Sequence, residues 1–140
     1  MEEIAQSARV YLDTNVLIYL TEGTVAQKAA LRGLFLSFDA RAARYFTSEL
    51  AYTETLVHPI RTGKAELIQA YEHLLTQVVE ALPLTREVLC LAAKLRAQTP
   101  SQRTPDALHV ATAIVAGANV FVTGDRGIRN VPATMLLKVV

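Results

Sequence analysis

Cysteine occurs once in the 140-residue chain, at Cys90. An intramolecular disulfide is therefore excluded, and so is a zinc site built from four thiolates of one chain. The apolar neighbours of Cys90 in VLCLAA predict a thiol in the core. No apolar run approaches the roughly 18 residues that a membrane-spanning helix needs. The first residues, with Glu2 and Glu3, offer no basic leader followed by an apolar stretch and do not read as a secretory signal. These features predict a protein of the reducing cytoplasm with no membrane partner. GxGxxG and P-loop patterns are missing too, so nothing supports a bound nucleotide cofactor. Repeats, low-complexity tracts and long linkers are lacking, which predicts a single domain over residues 1–140.

Charge of one sign is scarce as well. Fourteen Lys and Arg against 13 Asp and Glu leave a net charge of +1. That balance excludes a protein that grips nucleic acid by backbone charge alone. It leaves nucleic acid open as a partner if the acids are gathered. With four of them in one pocket, fourteen basic residues face nine acids elsewhere, a net of +5. What the chain does have is apolar residues: 51% are hydrophobic and 19% charged, enough for a sizeable core.

Short β-prone runs alternate with helical patterns. Residues 9–12 form the first run, ending at Asp13, and a helix starts by Val16 behind the capping residues Asp13, Thr14 and Asn15. Gly23 breaks it, and Thr24 opens a second helix to about Phe38. Residues 45–47 read as a strand, with Ser48 capping a helix from Glu49 that His58-Pro59 stops. Residues 64–78 are the clearest helix, with Leu67, Ile68, Tyr71, Leu74, Leu75 and Val78 on one face. A third strand is expected over 78–82 and a further helix from Leu84 to near Thr99. Thr104-Pro105-Asp106 reads as cap, first-turn proline and dipole-facing acid of a helix that Gly117 ends. Buried-strand character marks 119–123, and a last strand is expected at 135–139. This alternation predicts an α/β domain with a mainly parallel sheet and helices on both faces.

Two acids occupy equivalent places in that scheme. Asp13 follows the strand VYL, and Asp125 follows NVFVTG; ligands of open parallel sheets bind at the carboxyl ends of strands. Asp106 opens the helix leading into the second of these strands, and Glu54 lies early in the helix after residues 45–47, so both begin at the same edge. Carboxylates drawn together repel and raise one another's pKa, a cost that a divalent cation removes. Oxygen donors without a histidine or cysteine cluster favour Mg²⁺ or Mn²⁺ over Zn²⁺. Such a cation commonly works on phosphate groups, so a phosphodiester hydrolase follows naturally, though other Mg²⁺ chemistry would fit the acids alone.

Each residue also has an ordinary reading. Asp13 caps a helix, Asp106 faces a helix dipole, Asp125 sits in a turn, and Glu54 is a solvated helix residue. Asn15 and Thr123 either orient a carboxylate or serve only local capping and turns. His109, one turn beyond Asp106, reads as a packed or surface histidine before a substrate contact. Basic residues including Arg103, Arg126 and Arg129 offer a phosphate track, though each alone is an ordinary surface charge.

The segments VYLDTNVLIYL, TSELAYTETL, TPDALHVATAIVAG and VFVTGDRGI resemble, in order and over nearly the whole chain, the PIN-domain family and its VapC-like toxins of toxin–antitoxin pairs. The resemblance implies a PIN-like three-layer α/β/α domain acting as an endoribonuclease that depends on Mg²⁺ or Mn²⁺. It implies acids at Asp13, Glu54, Asp106 and Asp125, with Asp13, Asp106 and Asp125 on the metal and Asn15 and Thr123 in support. It further implies an RNA substrate, a small antitoxin as partner and a homodimer. Rival expectations are a housekeeping RNA-processing nuclease and a non-catalytic scaffold that binds RNA or protein. The chain departs from the pattern at Gly127 and Ile128, where many relatives carry an acid or related polar residue and then an aromatic one.

Overall fold

Alternation along the central strands decides the layering. In β1 (Arg9–Leu12), Val10 and Leu12 pack into one apolar cluster and Tyr11 into another; in β4 (Val120–Thr123), Val120 and Val122 join the first and Phe121 the second. A strand buried on both faces needs a helical layer on each side, and that is what forms. The computed structural model describes residues 7–140, so the leader reading of the first six lies outside the described residues.

Five parallel strands stand in the order β3-β2-β1-β4-β5, with β2 at Arg44–Ser48, β3 at Glu80–Leu82 and β5 at Leu136–Val139. The mainly parallel sheet expected from the sequence is parallel throughout. α1 (Thr14–Glu22), α2 (Val25–Asp39) and α3 (Leu50–Arg61) contribute to the cluster holding Val10 and Leu12, and α4 (Ala65–His73) leads into Leu74 and Leu75, which join it. α5 (Arg86–Gln98) and α6 (Thr104–Val115) build the cluster holding Tyr11, Phe46 and Phe121. Among the described residues no helix is long and apolar enough to cross a membrane.

Strand order fixes where a ligand can enter. From β1 the chain moves outward to β2 and β3, then returns past β1 to β4 and β5 on the other side. The direction of winding reverses between β1 and β4, and in open parallel sheets ligands bind at the carboxyl ends beside such a reversal. The register Leu12↔Val122 sets Asp13 beside Thr123, and the Asp13 amide donates to the Val122 carbonyl at 2.9 Å.

Four local expectations need correction. Cys90 is exposed, because the buried face of α5 is Val88, Ala92 and Leu95, and Cys90 points away from it. α3 runs through Pro59 to Arg61; Pro59 is buried, and its packing outweighs the missing amide hydrogen bond. The helix stops instead where Gly63 takes φ 66°. The long helix after it ends in a π-helical segment, Leu74–Val78, closed by the Val79 amide on the Leu74 carbonyl at 3.0 Å. The wider turn delays the inward face by one residue, so Val79 is buried and Val78 exposed. In α6 the cap position belongs to Arg103, and Thr104 is already helical.

Candidate active site

Asp13 ends β1 and caps α1. Its Oδ1 accepts from the Thr14 amide at 2.8 Å, and its Oδ2 accepts from the Thr123 hydroxyl at 2.8 Å. The carboxylate is buried, so both contacts help to replace lost water. Thr123 is a bridge: the same hydroxyl accepts the Asp125 amide at 2.9 Å. Asn15 Oδ1 accepts the Gly124 amide at 2.7 Å and holds the turn after β4. The two supporting residues thus tie the ends of β1 and β4 together, Thr123 on a carboxylate and Asn15 on the backbone.

Asp125 Oδ1 accepts the Gly127 amide at 2.7 Å, the turn contact open to any aspartate at this place. A Cβ on Gly127 would stand 3.1 Å from that oxygen, so the residue without a side chain leaves the Asp125 carboxylate room. Ile128 is buried in the cluster with Tyr11 and contributes packing rather than an aromatic at the crevice.

Asp106 lies in the first turn of α6, at the carboxyl edge of the sheet because α6 runs back towards the start of β4. Its Oδ2 is 3.3 Å from Arg103 Nε, and its side chain is 15% exposed. Burial raises its pKa above the ordinary aspartate value; Arg103 opposes this, while the charges of Asp125 and Asp13 add to it. The three aspartates therefore share one electrostatic space. Their side chains come from β1, α6 and the turn after β4.

Glu54 reaches the same region from α3. Its Oε1 accepts from Thr14 Oγ1 at 2.8 Å and from His109 Nε2 at 2.6 Å. Burial pushes its pKa up, but His109, the Thr14 hydroxyl and the charge of Arg103 outweigh this and lower it. His109 itself is buried, 3.7 Å from Asp13 Oδ1, with Nδ1 2.7 Å from the Tyr11 hydroxyl. Burial lowers the pKa of the imidazole, and the bond to Glu54 with the charges of Asp13, Glu54 and Asp106 more than reverses it. Tyr11 is held well above its usual pKa by burial and then by Asp13, so its hydroxyl keeps its proton.

Tyr11 and Thr14 are site residues that the sequence did not single out for the site, and His109 read there first as a packed or surface histidine. His109 is packed, as expected, but packed against the acids. Two signals pointed to it: three residues from Asp106 on a helix is nearly the same face, and Tyr11 shares a strand face with Asp13.

Carboxylate oxygens are the donor type that a hard divalent cation takes, and Asp13, Asp106, Asp125 and Glu54 are the acids that could offer them. Among the described residues no three acidic, histidine or cysteine side chains stand, as placed, in a group that could hold a metal ion. Asp106 is engaged by Arg103, and Glu54 by Thr14 and His109, so the acids are compensated separately.

Residues 10–133 match the profile of the PIN domain. The chain belongs to the PIN domain family. No curated protein sequence matches it. Solved structures with the same PIN fold include VapBC2 from Rickettsia felis bound to a promoter DNA fragment, at TM-score 0.70 and 17% identity, covering 93% of this chain and 97% of that one. A toxin–antitoxin complex from Klebsiella pneumoniae gives a TM-score of 0.66 at 18% identity, covering 91% and 95%. FitAcB from Neisseria gonorrhoeae gives 0.56 at 20% identity, covering 92% and 96%. At these identities the likeness establishes the fold of this PIN domain.

Proposed function

We propose that this PIN domain is an endoribonuclease that uses Mg²⁺ or Mn²⁺ to hydrolyse RNA phosphodiester bonds, and that it is the toxin of a toxin–antitoxin pair. The observation that carries the reading is the Thr123 hydroxyl, which joins Asp13 at the end of β1 to the Asp125 turn at the end of β4, with Asp106 opening α6 at the same edge and Glu54 bonded to Thr14 beside them. Asp13, Asp106 and Asp125 would hold the cation, and Glu54 would orient water. When bound, the cation supplies positive charge to the phosphoryl oxygens and lowers the pKa of water.

The remaining work belongs to the chain. Thr123 holds Asp13 through Oδ2 and the Asp125 amide through its own oxygen, so two of the acids keep their spacing before substrate arrives. Asn15 fixes the Gly124 backbone between them. Arg103, largely exposed, offers a cation at the mouth of the crevice for an RNA phosphate. Hydrolysis of this kind leaves a 5′-phosphate and a 3′-hydroxyl.

The toxin role is supported by the shared fold with a chain of the Klebsiella pneumoniae toxin–antitoxin complex, and it brings a small antitoxin and a homodimer with it as partners. Purified protein incubated with total RNA is expected to cut it with Mg²⁺ or Mn²⁺ and to stop in excess chelator. Cleavage that persists in chelator contradicts the proposal. Expression alone should arrest growth, and co-expression of a small adjacent gene should relieve it.

A further inference from the structure

A line of packed groups runs from the core to Glu54 and has no place in the chemistry described above. Phe121 stacks on Tyr11 with ring centroids 5.2 Å apart and planes at 17°. Tyr11 meets His109 edge-on at 5.9 Å, and its hydroxyl lies 2.7 Å from His109 Nδ1. The imidazole is 1% exposed. Its Nε2 is 2.6 Å from Glu54 Oε1 and 3.1 Å from Thr14 Oγ1. A carboxylate at Nε2 requires the proton there, and in the neutral ring Nδ1 is then the acceptor of the Tyr11 hydroxyl. Neither end of the imidazole is free to turn.

We infer that His109 is a positioning residue, which fixes Glu54 through Oε1 and leaves Oε2 as the carboxylate oxygen free for water or substrate. Oε1 is committed twice, to His109 and Thr14, whereas Oε2 makes no hydrogen bond among the described residues. Thr14 alone would be a weak anchor, since a hydroxyl rotates about its C–O bond. The ring is held by Tyr11 and by burial on every side. Glu54, 30% exposed on its side chain, gains a single orientation from this partner. An oxygen pinned by two donors is a poor member of a bidentate clasp, so the arrangement assigns Glu54 to orienting water through Oε2. The inference rests on the nuclease reading, because that reading gives Glu54 its task.

The test uses two amide variants of the full-length protein. In His109→Gln the amide nitrogen can stand where Nε2 stands; in His109→Asn it is too short to reach Glu54 and lies nearer the place of Nδ1. Asn is expected to lower kcat about 10–100-fold with KM for RNA unchanged, the scale seen when the partner of a site ligand is removed. Gln should stay within about threefold of wild type. Equal kcat for the two variants, whether high or low, overturns the inference. A second readout needs neither metal nor RNA. In chelator, the wild-type Nε2–H should give a protected, downfield imidazole proton by NMR that is lost in Glu54→Ala and kept in Asp106→Asn. A signal indifferent to Glu54→Ala overturns the inference even if the protein proves to be no nuclease. Wild type that never cuts RNA, with the NMR result as expected, sinks the nuclease reading and leaves the His109–Glu54 link standing.

Discussion

One hydroxyl joins the two strand ends of the crevice. Thr123 donates to buried Asp13 and accepts the Asp125 amide. Thr123→Val keeps the shape and removes both bonds, leaving a buried carboxylate oxygen without that donor. It is expected to cost about 1–3 kcal/mol, read from urea unfolding; an unchanged midpoint would show that the bridge is dispensable. Asp106 behaves in the opposite sense. Its folded pKa is raised, by burial first, so the folded chain holds that proton more tightly than the unfolded chain does. Stability linked to it is complete below the ordinary aspartate value and is lost as pH rises through the raised one. In chelator at neutral pH, Asp106→Asn should therefore melt no lower than wild type and by expectation higher, with the gap closing towards pH 4. A clear fall in Tm at neutral pH would make the contact with Arg103 and the helix dipole the dominant role of Asp106. Two of the residues named for the site have their ordinary jobs as well: Asp13 does cap α1, and Asp125 does hold a turn. Spacing along the chain cannot separate the two jobs, since a cap and a cation ligand use the same carboxylate.

Elements were legible where one period dominates. The β-prone run at residues 9–12 and the start signals at Asp13 and Thr24 place β1, α1 and α2 within a residue or so, while α5, expected from Leu84, begins at Arg86 behind a Thr85 cap. What was not legible depends on packing between elements. Pro59 stays helical because it is buried, which no local rule contains. The π-helical turn before β3 moves burial from Val78 to Val79, and a 3.6-residue period projects the wrong one. His109 followed the same pattern: its neighbours in sequence are apolar, and its partners Glu54, Thr14 and Tyr11 arrive from other elements. The true end of α3 gives a test at this scale. Gly63 has φ 66° with no atom near a prospective Cβ, so Gly63→Ala should cost about 1 kcal/mol through the backbone alone. A stability equal to wild type would mean that the turn readily adopts another conformation.

At the scale of the whole molecule, strand order does what composition cannot. A net charge of +1 describes no partner, but order β3-β2-β1-β4-β5 carries the ends of β1 and β4, with the start of α6, to one crevice. The charges of Asp13 and Asp125 then reach Asp106, and with the four acids set aside the rest of the chain is net basic. The most direct measurement is a Mn²⁺ titration of the purified protein, followed by the loss of free-ion EPR signal. Wild type is expected to bind Mn²⁺, and Asp106→Asn and Asp125→Asn to bind it at least about tenfold more weakly. Glu80→Gln, which alters an acid paired with Arg44 on β3, should bind like wild type. Equal affinity in all four proteins would contradict a cation site built from these carboxylates.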